Sequence, residues 1–299
     1  MPTLVDALSA QVSGTDLTSL LLEVMRRRAA DATPAQLLQR YASDRFVAAP
    51  IASFGSLRHA EDALLAACPA TVDVLALAPL VPLGTHSAIA TVDQNKVVTS
   101  IRNTEVGADP TNALALEASA RRIAALRRDP KSAEVVRLGA SQRVVRAQQV
   151  SGPGRFAHFQ LFGFVTAGRD TGGRAFEAAS ASEHLLIHTR ALASLGAQAI
   201  AVSLTDFSGG RGAPIAAAVR GALANMQAVS CIDDPERSSG RGYYRDFCFK
   251  VHAQFGADPF ETSDGGCVDW TQRLVGSAKE RCLISGIGID RLALAIAPP

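Results

Sequence analysis

Residues 281–295 read RCLISGIGIDRLALA, an apolar run interrupted by two glycines and followed by a segment rich in alanine and leucine. The run predicts a strand over Arg281–Gly288, and the segment after it predicts a final helix. Gly286 and Gly288 let the backbone approach a ligand closely, and the N-terminus of a helix favours negative charge. Arg291 lies in the first turn, where a positive charge opposes the helix dipole unless an anion lies opposite it. The junction therefore indicates an anion-binding site or, alternatively, a glycine pair required for packing.

A predicted hairpin earlier in the chain carries arginines and an aromatic residue. Arg146 lies on its first strand and Arg155 in its glycine-rich loop. Guanidinium groups make bidentate, permanently charged contacts with phosphate. Phe159 on the return strand offers a flat face for a purine, and Gln148 can donate to or accept from the edge of the base. On the spacing alone, an ordinary basic hairpin with a phenylalanine in the core is the alternative.

The remaining periodic segments predict a sheet flanked by helices. Helices are predicted over Leu17–Arg28, Ser56–Ala67, Asn112–Arg128 and Ala175–Leu195. Strands are predicted over Val72–Leu77, Ala88–Val92, Val97–Ile101, Arg143–Gln149, Phe159–Ala167, Ala199–Leu204 and Tyr243–Ala253. Because strands follow one another as hairpins and strictly alternating β-α-β units are absent, we expect an α+β fold with a mixed, mainly antiparallel sheet.

Composition limits the class of protein. The chain has 299 residues, of which 47% are hydrophobic and 19% charged, so it can bury a sizeable core. Its 30 basic and 28 acidic residues nearly cancel, which argues against a surface that coats nucleic acid. The five cysteines are widely spaced and lack a C-x-x-C pattern, so we expect free thiols in a reducing cytoplasm and no zinc site. No secretory signal or membrane-spanning segment is visible, so no membrane partner is expected.

The hairpin and the glycine junction, in this order, resemble motifs 2 and 3 of the class II aminoacyl-tRNA synthetases. Motif 2 has an arginine hairpin with a phenylalanine that stacks on adenine, and motif 3 has Gly-x-Gly-x-x-Arg at a strand–helix junction. The histidyl branch is the most similar, because three further stretches match it in collinear order. These are its acid-x-Thr stretch at Asp109-Pro110-Thr111, its Arg-Gly and Tyr-Tyr pairs at Arg241-Gly242-Tyr243-Tyr244, and its glycine-rich turn with an aspartate at 264–269 (DGGCVD). The resemblance predicts one continuous synthetase-like core over residues 56–299, with residues 1–55 as an N-terminal helical segment packed on it.

The resemblance implies that the protein activates a carboxylate with ATP. The carboxylate attacks the α-phosphate, which gives an acyl-adenylate and pyrophosphate, while arginines and Mg²⁺ stabilise the charge. Arg146 would hold the α-phosphate, and Phe159 would stack on adenine with Gln148 at the base edge. Arg155 and Arg291 would hold the outer phosphates, and the two glycines of the junction would permit close approach. Implied contacts to the substrate come from Asp109, Thr111, Arg241, Tyr243, Tyr244, Leu161, Val165 and Asp269, with Arg237 as a rival of Arg241.

Three departures from the family pattern change the expected activity. Gln148 replaces the usual glutamate of motif 2. On the return strand the family places a glutamine and a glutamate that hold the α-ammonium, whereas Leu161 and Val165 would leave an ammonium without a counter-charge. The sequence ends eight residues after Arg291, so we expect no anticodon-binding domain and no tRNA partner.

These departures favour a stand-alone core that activates a small carboxylate or amino acid. The acyl group would pass to an acceptor other than tRNA, such as an amine, a carrier-protein thiol or a protein lysine. The alternative is a non-catalytic binding or regulatory paralogue, similar to the regulatory subunit of ATP phosphoribosyltransferase, which partners a catalytic chain. Val72–Pro82 resembles motif 1, the dimer element of the class, so a homodimer is expected.

Two smaller features are expected to be structural. Glu183, His184 and His188 have the helical spacing of metal ligands, but no third ligand element is evident, so we expect a solvated helix face and no metal site. Trp270, the only tryptophan, is expected in the core, with a wall of the pocket as the alternative.

Overall fold

The central element of the protein is an eight-stranded sheet. The computed structural model describes residues 2–148 and 157–296. In spatial order the strands are β1 (Asp73–Val74), β5 (Val136–Val145), β6 (His158–Arg169), β11 (Glu280–Gly288), β10 (Pro259–Val268), β9 (Phe247–Gln254), β7 (Ala199–Asp206) and β8 (Val229–Asp233). The strands from β5 to β7 pair antiparallel, whereas β1 and β8 at the edges pair in parallel. The predicted α+β fold with a mixed, mainly antiparallel sheet is confirmed.

Smaller elements surround this sheet. A three-stranded sheet consists of β2 (Leu80–Pro82), β4 (Thr104–Val106) and β3 (Thr99–Ser100). The α-helices are α1 (Pro2–Asp6), α2 (Gly14–Ala30), α3 (Pro34–Ser43), α4 (Phe54–Ala67), α5 (Thr85–Ala90), α6 (Pro110–Arg128), α7 (Ala175–Ser194), α8 (Ala213–Leu223), α9 (Trp270–Val275) and α10 (Ile289–Ala295). A π-helical turn spans Ala7–Gln11 and a 3-10 turn spans Gln94–Lys96. In the two described ranges, no helix combines the length and the apolar character that crossing a membrane requires.

Helices cover the two faces of the large sheet to different extents. One face is buried under α4, α7, α8 and α10, with Leu64, Leu185 and Leu292 in that core. On the other face, α6 and α9 pack through Leu114 and Trp270. Side chains alternate between the two faces along β11, so Gly286 and Gly288 lie on the same face as Ile284 of this second core. Both glycines are partly exposed, which leaves room for a site at this end of the strand.

A buried ion pair joins α6 to β11. Arg122 Nε lies 2.8 Å from Glu280 Oε2, and both side chains are fully buried. Arg122 also donates to the backbone carbonyls of Glu134 and Ser132 at 2.6 and 3.1 Å. Removing one partner of a buried pair destabilises a protein by about 3–5 kcal/mol. The helix and the strand are therefore held in a fixed relation.

The N-terminal helices expose apolar surface. Neither α2 nor α3 contains a buried residue. Thr33 caps α3 in a reciprocal arrangement with Gln36, as its position before a proline predicts. Leu37 and Leu38 in α3 are 57% and 69% exposed. These helices therefore leave leucine side chains exposed on the surface of the single chain.

Candidate active site

Asp109 and Thr111 form the N-terminus of α6. Asp109 Oδ1 accepts hydrogen bonds from the backbone N–H of Thr111 at 2.9 Å and from its hydroxyl at 2.7 Å. Pro110 occupies the first turn, where its missing N–H has no helical partner to lose. A Cβ on Gly163 of β6 would lie 2.8 Å from Pro110 Cγ. Glycine at this position therefore lets the start of α6 lie directly against the sheet.

Arg146 and Phe159 lie together beside this helix start. Arg146 follows β5, and its Nη2 donates to Asp109 Oδ2 at 3.0 Å while its Nε donates to the carbonyl of Ala108 at 2.9 Å. Its guanidinium carbon lies 5.1 Å from the centre of the Phe159 ring, within the range of a cation–π contact. The structure thus brings together an arginine, an aromatic ring and an acid that the sequence predicts as site residues.

Two tyrosines complete this side of the site. The Tyr243 ring meets the rings of Tyr244 and Trp270 edge-on, with centroids 4.9 and 5.6 Å away. Trp270 is 2% exposed, so the prediction that it lies in the core holds. Burial raises the pKa of Tyr243 well above its ordinary value, and the charge of Asp109 adds to the rise. The Tyr243 hydroxyl is therefore protonated at neutral pH.

An ion pair between the buried Arg237 and the partly exposed Asp264 lies next to the tyrosines. Arg237 Nη2 donates to both carboxylate oxygens of Asp264 at 3.0 and 3.1 Å, and its Nε donates to the carbonyl of Ser239 at 2.8 Å. The guanidinium carbon lies 5.7 Å from the centre of the Tyr244 ring. Within the described residues Nη1 has no hydrogen-bond partner, although the side chain is only 3% exposed. Burial raises the pKa of Asp264, and Arg237 opposes the rise.

The position of Arg237 bears on the choice between Arg237 and Arg241, the two arginines that the sequence left as alternative substrate contacts. Arg241 is exposed and lies over the Phe207 ring at 4.7 Å, whereas the ion pair with Asp264 is made by Arg237. Asp264 is opposite Gly286 in the sheet register. The structure therefore brings Arg237 to the face that holds the other predicted residues, and Arg241 does not join it. Sequence reasoning did not choose Asp264, although the residue stands in the aspartate–glycine stretch that the resemblance singled out.

That stretch is a strand and not a turn. Residues 264–268 belong to β10, where a Cβ on Gly265 would lie 2.5 Å from the Phe249 ring. The glycines are therefore required for close packing between strands. Asp269, the predicted substrate contact, directly follows β10, five residues beyond Asp264, and pairs with Arg245 at 2.8 Å and with Arg273 at 3.2 Å.

The glycines of the strand–helix junction have space above them. The nearest atom to a Cβ on Gly286 would be the carbonyl oxygen of Phe162 at 3.8 Å. A Cβ on Gly288 would have Arg291 Cδ at 3.9 Å as its nearest neighbour. Arg291 is exposed and donates through Nη1 to the carbonyl of Glu261 at 3.2 Å. Packing therefore does not require glycine at either position, which favours the interpretation that a ligand does.

The two apolar positions on the return strand differ in depth. Leu161 is half-buried and lies opposite Gly288 in the sheet. Val165 is fully buried and packs in the core with Leu114 and Ile284. Leu161 is therefore the one of the two that borders the open part of the face.

Gln148 and Arg155 are the remaining residues that the resemblance predicts to contact ATP. Gln148 is exposed at the end of the first strand region, and its carbonyl accepts from Arg45 Nη1 at 2.9 Å. Arg45 Nη2 also donates to the carbonyl of Ala147 at 3.1 Å. Arg155 lies outside the described residues.

The histidines of α7 are not on a solvated face, so that prediction is wrong for both. His184 and His188 are 2% and 0% exposed, and their ring nitrogens lie 2.8 and 2.9 Å from the hydroxyl of Ser285. Burial lowers the pKa of each to about 3, so both are neutral. Glu183 points elsewhere and pairs with Arg137 at 3.0 Å. The described residues contain no group of three or more His, Cys, Asp or Glu side chains that could hold a metal ion.

Comparison with known proteins identifies similar folds. A scan against models of known protein families finds no match. No curated protein matches the sequence either. The chain is similar in structure to Staphylococcus aureus histidyl-tRNA synthetase in its apo form, with a TM-score of 0.58 and 14% identity over 80% of this chain. It spans 64% of the length of that enzyme.

Two further solved structures give the same result. An ATP phosphoribosyltransferase regulatory subunit/histidyl-tRNA synthetase from Bacillus halodurans has a TM-score of 0.56 and 14% identity, over 81% of this chain and 79% of that one. Pyrrolysyl-tRNA synthetase from Desulfitobacterium hafniense has a TM-score of 0.50 and 11% identity, over 87% and 74%. At these identities the likeness is one of architecture. The chain has the fold of the class II aminoacyl-tRNA synthetase catalytic core.

Proposed function

We propose that this core activates a small carboxylate or amino acid with ATP. The observation that carries the proposal is the contact of Arg146 with Phe159 on the sheet face where Gly286 leaves open space. A purine needs a flat aromatic surface, a phosphate needs a guanidinium, and close approach to the backbone needs glycine. These three requirements meet at one end of the central strands.

The reaction that this arrangement supports is a displacement at the α-phosphorus of ATP. A carboxylate oxygen of the substrate bonds to phosphorus while the bond from phosphorus to pyrophosphate breaks, which gives an acyl-adenylate and pyrophosphate. The carboxylate enters ionised, so the step requires no proton transfer and depends on positioning and on stabilisation of charge. We assign the α-phosphate to Arg146 and the outer phosphates to Arg155 and Arg291. Adenine would stack on Phe159, with Gln148 at its edge.

Mg²⁺ would enter with the nucleotide. Carboxylates near the open face are already held by basic side chains, since Asp264 pairs with Arg237, Glu261 pairs with Lys250 at 2.7 Å and Asp109 pairs with Arg146 at 3.0 Å. The described residues therefore do not fit a metal site made by the protein alone. We propose that the phosphates of ATP hold the ion and that the arginines are the protein's own contribution.

The substrate would lie between the tyrosines and Leu161. Arg237 Nη1 is a buried donor without a partner among the described residues, and a substrate oxygen that accepted from it would remove the penalty of leaving it unpaired. Asp109, Thr111 and Tyr243 border the same space. Because Leu161 is apolar, it offers no counter-charge to an ammonium, which favours a carboxylate whose recognition does not depend on an α-amino group.

The acceptor and the partners are proposed on broader grounds. The balance of 30 basic and 28 acidic residues supports an acceptor other than tRNA, such as an amine, a carrier-protein thiol or a protein lysine. The exposed leucines of α3 support a homodimer in which residues 1–55 pack as a helical segment and residues 56–299 form the core. All five cysteines are free, which supports a cytoplasmic location.

Pyrophosphate exchange into ATP tests the proposal. With a panel of small carboxylates and amino acids, we expect exchange above background with at least one member. Arg146→Ala should lower that exchange by about a hundredfold, because it removes the charge at the reacting phosphate. Arg128→Ala is the matched control, since Arg128 is 71% exposed on α6 and pairs with Glu134 at the surface. Background exchange across the whole panel, or equal exchange in both variants, contradicts the proposal.

A regulatory paralogue is the second candidate. Arg146 is already neutralised by Asp109, and Leu161 and Val165 provide no ligand for an ammonium, as in a site that has lost its chemistry. The likeness to the Bacillus halodurans regulatory subunit/synthetase is consistent with this function. Calorimetry separates the two, because a regulatory paralogue would show no ATP binding and would co-purify with a catalytic chain.

A further inference from the structure

A second cleft lies at the opposite end of the central strands. It is an open cleft of about 860 Å³ between the start of α7, the loop before α8, the end of β10 and the start of β11. Pockets of roughly 300–1,000 Å³ hold small organic ligands. Asp264, Gly286 and Arg146 do not line it, so the cleft is distinct from the candidate active site.

The charges in this cleft are arranged in layers. The carboxylates of Glu177, Asp269 and Asp246 are 2%, 21% and 27% exposed. The guanidinium groups of Arg211 and Arg245 are 68% and 60% exposed. A molecule that enters from solvent therefore meets guanidinium groups first and acids only below them, which favours an anion at the rim.

The two rim arginines keep donors for a ligand. Arg211 donates through Nη2 to Asp246 at 2.9 Å, and Arg245 donates through Nε and Nη2 to one oxygen of Asp269 at 3.1 and 2.8 Å. A guanidinium group has five N–H donors, so each retains several that face solvent. The planar arrangement of these donors matches the oxygens of a phosphate group.

Two helices begin at the cleft, and α7 adds positive potential there. The N-cap residue of α7 is Arg174, whose side chain does not cap the helix, whereas the backbone N–H of Gly212, the N-cap residue of α8, already donates to Asp206 Oδ2 at 2.9 Å. The first N–H groups of a helix carry a partial positive charge that favours anions. Arg174 is in the left-handed region at φ 63°, and so is its ion-pair partner Asp246 at φ 65°.

A buried carboxylate oxygen in the floor indicates a second requirement. Glu177 Oε1 pairs with Arg174 at 3.0 Å and with Arg281 at 3.4 Å. Its Oε2 has no hydrogen-bond partner within the described residues, although the side chain is only 2% exposed. A buried acceptor without a donor is unfavourable, so a ligand that supplies an O–H to Glu177 would be preferred.

From these contacts we propose that the cleft binds a small phosphorylated molecule that carries hydroxyl groups. Its phosphate contacts Arg211 and Arg245 at the rim, and a hydroxyl donates to Glu177 in the floor. The chain then has two separate ligand sites at opposite ends of the same strands. The second site does not depend on the function proposed for the first.

Isothermal titration calorimetry with glucose 6-phosphate as the probe tests the proposal. We expect one molecule to bind per chain, with inorganic phosphate about tenfold weaker and glucose without measurable binding. Arg211→Ala and Arg245→Ala should each weaken the binding by about tenfold, since each removes one charged contact to phosphate. Both side chains are mostly exposed, so the variants should fold, and circular dichroism checks this.

Two controls make the result specific. Arg220→Ala removes an arginine of α8 that pairs with Asp233 outside the cleft, and it should leave binding unchanged. Arg146→Ala should also leave it unchanged, because that residue belongs to the active-site face. Absence of binding, an affinity in either rim variant equal to that of the unmodified protein, or loss of binding in Arg146→Ala overturns the site. Equal affinity for inorganic phosphate overturns the assignment of a hydroxyl-bearing ligand.

Discussion

Gly286 and Gly265 lie on adjacent strands, yet a methyl group would meet very different surroundings at the two positions. At Gly265 it would lie 2.5 Å from the Phe249 ring and 2.7 Å from the carbonyl oxygen of Ile284. At Gly286 its nearest neighbour would be 3.8 Å away. Neither residue has a positive φ, so backbone conformation does not explain either glycine. One glycine is required by the fold, and the other leaves space that a ligand can use.

Among the single substitutions, the largest effect is expected at Gly265, where a methyl group has no space. Gly265→Ala should lower the free energy of unfolding by about 3 kcal/mol, because neither the ring nor the backbone around it can move away freely. Urea unfolding measures this change. Gly286→Ala is the matched control and should change stability by less than about 1 kcal/mol. An equal loss in both variants would mean that the two glycines do not differ as their surroundings indicate.

The next effect concerns the histidines behind Gly286, which bond to Ser285. Their pKa is about 3 in the fold and 6.5 ordinarily, so the unfolded chain binds more protons between these values. The contribution of these histidines to the free energy of unfolding is therefore fully present above about pH 6.5. It falls as the pH drops towards 3, by about 1.4 kcal/mol per pH unit for each histidine. Urea unfolding between pH 7 and pH 5 measures the slope. His188→Gln should halve the contribution of the pair, and an unchanged slope would contradict the assignment.

A smaller effect is expected on ligand binding at the open position. Gly286→Ala should weaken ATP binding by about tenfold, which corresponds to about 1.4 kcal/mol, because the methyl group enters the space assigned to the nucleotide. Calorimetry with ATP and Mg²⁺ measures it. Unchanged affinity in a folded variant would show that the space above Gly286 is not where the nucleotide lies.

The smallest effect is expected at Gly288. A Cβ there would make an ordinary contact with Arg291 Cδ at 3.9 Å. Gly288→Ala should therefore change stability by less than about 0.5 kcal/mol and weaken ATP binding less than Gly286→Ala does. The same two measurements apply. A larger loss of affinity in Gly288→Ala than in Gly286→Ala would indicate that the nucleotide binds closer to the start of α10.

Local signals predicted the elements that carry the site. Asp109 and Thr33 cap their helices as their positions before proline predict, and the hairpin of β5 and β6 follows from its apolar runs. The predicted strand Ala88–Val92 is wrong, because the backbone N–H groups of Gly84 and His86 donate to the distant side chain of Glu105 and start α5 instead. A contact of this kind is invisible to a local pattern.

The candidate site was predictable to the same degree. Arg146, Phe159 and Asp109 belong to motifs of fixed spacing, and they meet in the structure. Arg237 could be preferred over Arg241 only after the fold placed Asp264 beside it. The burial of His184 and His188 likewise depends on the strand that packs against α7, since helical spacing alone does not distinguish a solvated face from a polar contact in the core.

The ion pair of Arg122 with Glu280 fixes the orientation of α6 relative to β11, and this orientation determines where the start of α6 lies in the candidate site. Arg122 is on the same helix as Thr111, eleven residues away or about 16 Å along the axis, and Glu280 begins the strand that ends in glycine. A tilt of about 3° at the pair would therefore displace the helix start by nearly 1 Å, which is enough to lower the rate of a reaction that depends on alignment. The alignment of α6 at the candidate site thus depends on an ion pair that lies outside that site.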